Sequence, residues 1–247
     1  VRIVPSREDW QRRLGPLYGG AVALVHSTPW RWPTEVGDEA RSPVWIVALG
    51  LPVGLVAWVV AALAEGVGLP PYIAGLLGLA MLTVASAAIV ERGLAERIDH
   101  WQGQARSPGV AAVLVVVFAT LLRAAALLTV DPKDWLWVFL ATAVIGRWSA
   151  IFLQALGDPI ATDDQQRSLV GTPSPAWLTA ALSAGVLALA ILAIGKIGIV
   201  ALALAAIVAF GLGLEAQRRD GGLSAPAVAA AAAIGELLFL LVATISH

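Results

Sequence analysis

Long apolar runs separated by short polar stretches set the pattern of this chain. Seven of them are long enough to cross the hydrocarbon core of a bilayer, which takes about 20 residues of helix. They are Val44–Ala64, Pro71–Val90, Gly109–Val130, Trp135–Leu156, Ala176–Ile194, Ile197–Leu214 and Pro226–Ile245. The fifth and sixth are contiguous, and one helix over both would be almost twice the bilayer thickness. A tight turn is therefore expected at GKIG, Gly195–Gly198. Leu14–Val25 is too short to span; flanked by Arg12, Arg13 and Trp30, it fits an interfacial or re-entrant helix. The pattern predicts an all-α polytopic membrane helix bundle forming a single domain over 1–247. Residues 1–43 form its N-terminal cytoplasmic and interfacial segment, and residues 44–245 its transmembrane part.

The cations orient the bundle. Twelve of the sixteen Lys and Arg fall in the N-terminal segment and alternate loops, two (Lys133 and Lys196) in the opposite loops, and two inside spans. The positive-inside rule then places the N-terminus and the loop after the second span in the cytoplasm and the C-terminus outside. Trp45, Trp101, Trp135 and Trp177 stand at span ends, where indoles favour the headgroup region.

Composition narrows the chemistry. With 59% hydrophobic and 13% charged residues, the chain carries roughly half the charge of a soluble domain. It has no cysteine, which excludes disulfides, thiolate metal sites and cysteine nucleophiles. A net charge of −1 without a dense basic patch excludes nucleic acid as a partner. No short apolar run with a cleavage site follows Arg2, Arg7, Arg12 and Arg13, so no signal peptide is expected. His26, His100 and His247 lie on different parts of the predicted topology and do not form a metal triad.

Three charges are expected deep in the membrane: Arg123, Arg147 and Glu236. From the cytoplasmic span ends, Arg147 and Glu236 lie about 14 and about 15 Å in, and Arg123 about 20 Å in. An ion left alone there costs at least ~2.5–3.5 kcal/mol. Arg147 and Glu236 are therefore expected to pair and make spans four and seven neighbours, either as a packing device or as the wall of a polar cavity. Arg123 has no acid at its own depth, and either snorkels outward or shares Glu236.

The stretch VERGLAERIDHW, Val90–Trp101, crowds three acids, two arginines and a histidine at the end of the second span. It reads either as a metal site at the water boundary or as a collar in which Glu91, Glu96 and Asp99 pair with Arg92, Arg97 and Arg106.

The order of these features resembles the cobalamin synthase family, adenosylcobinamide-GDP ribazoletransferase, over nearly the whole chain. ALVHSTPWRWP (Ala23–Pro33) is similar to the family's opening, and IGRWSA (Ile145–Ala150) to the Gly-Arg motif of its fourth span. RRDGGLSAPAVAAAAAIGELLFLL (Arg218–Leu241) is similar to its last loop and last span, in register from Gly221-Gly222 to Gly235-Glu236. The resemblance implies an integral protein of the bacterial cytoplasmic membrane and a reaction of cobalamin biosynthesis. Adenosylcobinamide-GDP and α-ribazole are joined with release of GMP, using carboxylate-held Mg²⁺ against the diphosphate.

The family's metal motif, His-Leu-Asp-Gly-Leu-Ala-Asp-Thr-x-Asp-Gly, is preserved here as a frame. Gly93, Leu94 and Ala95 match; the preceding aspartate is Arg92, the next is Glu96, and Asp99 is unchanged. Arg92 puts a fixed positive charge where a divalent cation should sit, a repulsion of about 8 kcal/mol at 4 Å and effective dielectric 20. The cytoplasmic helix and Asp-Ser-x-x-Gly segment expected before span three are reduced to His100–Pro108. Thr-Gly-Asp in the last loop reads Ser224-Ala225-Pro226, and the loop after span four has become Asp163–Pro175.

Three functions remain open. The chain is a non-catalytic accessory or scaffold subunit of a membrane complex, without cofactor. Alternatively it is an active Mg²⁺-dependent transferase, with Glu91, Glu96 and Asp99, and Asp163 and Asp164 beside them, on the metal. In the third reading it binds a corrinoid or lipid-like ligand around Arg147 and Glu236.

Overall fold

The computed structural model of the protein describes residues 7–30, 42–103, 108–157, 168–172 and 174–246. Its elements are helices: α1 Arg7–Leu14, α2 Tyr18–Ser27, α3 Pro43–Ala48, α4 Gly50–Gly66, α5 Pro71–Ala85, α6 Ile89–Trp101, α7 Val110–Leu127, α8 Trp135–Gln154, α9 Ala176–Ile194, α10 Gly198–Asp220 and α11 Ala225–Ala243. Among the described residues, five stretches are long and apolar enough to cross a membrane: Pro43–Gly66, Val110–Leu127, Pro132–Gln154, Ala176–Asp220 and Ala225–Ala243. The pair α5–α6, bent by 74°, makes a sixth if counted as one span. These helices make the chain an integral membrane protein.

The expected turn at GKIG is present. Gly195 has φ +67°, which glycine adopts without steric cost. A Cβ on Gly198 would lie 2.5 Å from the Ala190 carbonyl oxygen. Residues eight apart in a straight helix are separated by about 12 Å along the axis, so the chain doubles back between α9 and α10. A smaller break separates α3 from α4. Pro52 has no N–H to offer the Ala48 carbonyl, so the first turn before it ends at Ala48 and restarts at Gly50.

The second predicted span is where the structure departs most from the expectation. Pro71–Val90 is not one helix: α5 stops at Ala85, and α6 sets off at 74° from Ile89. The charged stretch expected to be a loop collar is thus a helix. Of its buried residues, Ile89, Val90, Gly93, Leu94 and Arg97 recur at helical spacing and make one continuous face, with Asp99 buried apart from it. The N-terminal region differs too. Leu14–Val25 is divided at Gly15 (φ +51°), and α2 packs through Gly19 and Gly20 against the Trp45 indole.

α8 is the enclosed centre; every residue from Ala141 to Ile151 is buried. α4, α9, α10 and α11 surround it. α11 reaches it through small residues: Ala227–Ala233 are buried, and Gly235 lies directly on the Ser149 side chain. Without water to drive helices together, such close backbone approach is what holds them. α7 is peripheral, with Val113, Leu114, Val117, Phe118 and Leu121 exposed as a lipid-facing strip. Trp135, expected at the headgroup level, is instead 2% exposed. Its Nε1 donates to the Val130 carbonyl at 3.3 Å, and its ring fills the space beside Gly75. A partner for the indole N–H inside the protein makes the interface unnecessary.

Candidate functional site

α6 carries the residues of the expected metal motif, and it lies against α11. Gly93 sits directly on Ala229, and a Cβ there would also come within 3.4 Å of the Pro226 carbonyl. Arg92, Gly93 and Glu96 line a cleft with Ser168, Ala225, Pro226 and Ala229 whose volume is about 10 Å³. That is room for a single water. The opposite flank of α6, with Glu91, Arg92, Ala95 and Glu96, opens on a groove of about 520 Å³ towards Pro108, Val113, Val116 and Val117 of the α7 side. Leu94 is buried.

The charges of α6 are not a self-contained collar. Only Arg92 and Glu96 pair within it, at 3.4 Å and half exposed. Asp99 accepts the Gly109 amide with both carboxylate oxygens, at 3.0 and 3.1 Å, and so ties the end of α6 to the start of α7. Glu91 is held by Arg123 and Thr83. Arg97 reaches across to Glu215 and Asp220 at the end of α10, and its guanidinium lies 5.6 Å from the centre of the Trp101 ring. Trp101 Nε1 donates to Glu215 at 3.0 Å, and His100 Nε2 is 2.7 Å from Asp220 Oδ1. Arg106, Asp163, Asp164 and His247 lie outside the described residues. Among the described residues, no three His, Asp or Glu side chains converge as a metal-binding group.

The intramembrane charges meet in a different arrangement from the one expected. Glu236 makes its ion pair with Arg123, Nη2 to Oε2 3.2 Å, the sharing that the sequence left open. Arg147 attracts it electrostatically without a direct ion pair. Arg123 also donates through Nη1 to Glu91 at 2.9 Å and through Nη2 to the Ala233 carbonyl at 3.0 Å. It joins α6, α7 and α11 at one point. An arginine has the reach to do so from a different depth, because its donors sit on a long stem. Arg147 instead donates to the Ala143 carbonyl and to Ser86 Oγ, both at 3.3 Å. The expected adjacency of α8 and α11 is correct all the same: a Cβ on Gly146 would lie 2.7 Å from Glu236 Oε1. Gly146 and Gly235 leave room for the glutamate and for Ser149 where the two helices cross.

Comparison with protein families now decides the relationship. A family model described as cobalamin-5-phosphate synthase matches residues 20–244. The chain belongs to that family. Neither a search of curated proteins nor one of solved structures finds a significant match.

In this cobalamin-5-phosphate synthase family member, the Gly-Arg pair of α8 and the Gly-Glu pair of α11 come together in one place. Sequence reasoning missed several residues of that network. Thr83 Oγ1 donates to Glu91 Oε1 at 3.0 Å, and Ser86 receives Arg147. Directly after Ser86, Ala87 and Ala88 both have φ +52°. The left-handed region costs a residue with a Cβ roughly 1–2 kcal/mol, so something outside the pair holds it there. Arg97 was also missed as a bridge to α10. Its place in the 89/90–93/94–97 apolar series was the available signal, since an arginine on a buried face needs buried acids.

Proposed function

We propose that this cobalamin-5-phosphate synthase family member is non-catalytic and acts as an accessory or scaffold subunit of a membrane complex. The observation that carries the reading is the employment of the motif acids. Glu96 faces Arg92, Asp99 is spent on the Gly109 amide, and Glu91 is held by Arg123 and Thr83. A divalent cation needs carboxylates that converge on one point, and among the described residues these do not; Arg92 puts a positive charge beside Glu96, where a metal would have to sit.

In this proposal the bundle has seven spans, with its N-terminus in the cytoplasm and its C-terminus outside, in a bacterial cytoplasmic membrane. The doubling back at Gly198 and a single broken span over α5 and α6 support the number. The cation bias of the loops supports the orientation.

The match over residues 20–244 favours a second reading, an active transferase with a rearranged site. One experiment separates the two. Purified protein is given adenosylcobinamide-GDP, α-ribazole and Mg²⁺ beside an intact family member. No cobalamin from this chain, with an active control and a stoichiometric membrane partner in gentle extracts, is the expected result. Cobalamin above background that is lost in Glu96→Ala or Asp99→Ala establishes the transferase. The corrinoid or lipid-like binder expected around Arg147 and Glu236 has less support, because Gly146, Ser86 and Arg123 fill the space around these side chains.

A further inference from the structure

We propose that the break between α5 and α6 is a two-state hinge, latched in its bent form by Glu91. The residues at the break do not ask for it. Ser86-Ala87-Ala88-Ile89 contains neither proline nor glycine, and alanine is the best helix former. Left to local preference, α5 would continue into α6. Yet Ala87 and Ala88 both stand in the left-handed region, where alanine is strained.

The bonds across the break exist only when it is bent. Thr83 and Glu91 are eight residues apart; in a straight helix they would be separated by about 12 Å along the axis, beyond the joint reach of their side chains. In the bent chain Thr83 Oγ1 donates to Glu91 Oε1 at 3.0 Å. The same Glu91 oxygen receives Arg123 from α7 at 2.9 Å, and Arg123 is anchored in turn by Glu236 and the Ala233 carbonyl of α11. Arg147 of α8 holds Ser86 on the near side of the break. Two strained alanines are thus opposed by one carboxylate that three helices hold in place. That is a local conflict between helix propensity and tertiary bonding, the ingredient of a bistable element.

The latch has a consequence for α6. Bent, α6 lies on α11 with Gly93 against Ala229, and the cleft beside Arg92 and Glu96 is closed to about 10 Å³. Released, the helix straightens and α6 and α11 part, which widens the cleft. The hinge stands whether or not the chain is catalytic.

The absence of cysteine makes the test direct. Spin labels are placed at Tyr72→Cys on α5 and Gln102→Cys after α6, both exposed positions, and their separation is read by pulsed electron resonance in nanodiscs. Two arms of fifteen residues bent by 74° put these positions about 36 Å apart, and a straight helix puts them about 45 Å apart. The parent is expected to show the short distance. Thr83→Val, which keeps the shape and removes the hydroxyl, and Glu91→Ala are expected to add a population near the long one. Ala87→Gly with Ala88→Gly in the Thr83→Val background is expected to restore the short distance, since glycine carries no penalty at these angles. A single short distance in folded Thr83→Val overturns the latch: packing of α5 on α4 and of α6 on α11 would then suffice to hold the bend. Should Glu91→Ala not fold, Thr83→Val decides alone. A long distance that persists in the glycine variant overturns the role given to the two alanines.

Discussion

Arg123 Nη2 stands 3.2 Å from Glu236 Oε2, and this pair joins the most lipid-exposed helix of the bundle, α7, to the alanine-rich α11. Arg123 also serves Glu91, so one guanidinium bonds two acids. Removing it leaves both carboxylates without their partner.

Arg123→Met is therefore expected to cost about 3–5 kcal/mol, the penalty for breaking a buried pair from one side. Thermal unfolding in detergent measures it. Arg123→Met combined with Glu236→Met removes both ends and is expected to be milder than the sum of the singles by at least ~1 kcal/mol. Simple additivity would show that the two residues do not act as a pair.

The crossing of α6 and α11 depends on the missing Cβ of Gly93, which faces Ala229. Gly93→Ala is expected to destabilise by about 1–3 kcal/mol through overpacking. Ala229→Gly in the same chain returns the space, and the melting temperature should recover in part. A Gly93→Ala variant as stable as the parent would mean that α6 does not sit where the structure has it.

Arg97 is 1% exposed and holds both Glu215 and Asp220 of α10. Arg97→Gln keeps one or two donors but loses the charge, at about 2 kcal/mol for charge-assisted bonds. Hydrogen exchange should speed up in the last turn of α6 and in the end of α10 together. Loosening of α6 alone would contradict the bridge.

Topology is open to labelling, because every introduced cysteine is unique. Ser246→Cys should react with an impermeant maleimide in intact cells, and Gln102→Cys only after permeabilisation. The two positions are separated by five spans in the seven-span arrangement, so labelling from the same side rules that number out. Labelling with the sides exchanged reverses the orientation.

How much of this was legible beforehand follows from the range of each interaction. The helix ends at Pro43, Trp135, Ala176 and Ile194 stand within a residue or two of the apolar run boundaries, because bilayer length and local composition set them. The GKIG turn was legible for the same reason: a run too long for one crossing must reverse, and glycine marks where. The motif glycines Gly93, Gly146 and Gly235 were visible as small residues, but what each accommodates was not. Depth along a span favours Arg147 as the partner of Glu236 and leaves Arg123 as the alternative, which makes the ion pair. Arginine's long stem lets Arg123 reach it from another level.

The apolar pattern alone was enough to make the chain a helical membrane protein and, through the order of its motifs, to name its family. Those properties are additive along the chain, residue by residue. Three features arise only once helices distant in sequence are packed: the bend at Ala87–Ala88, the fate of Glu91, and the bridge from Arg97 to α10. Local propensity at SAAI favours a straight helix; the bend stands against it, with Thr83, Arg123 and Arg147 making bonds across the fold at that point.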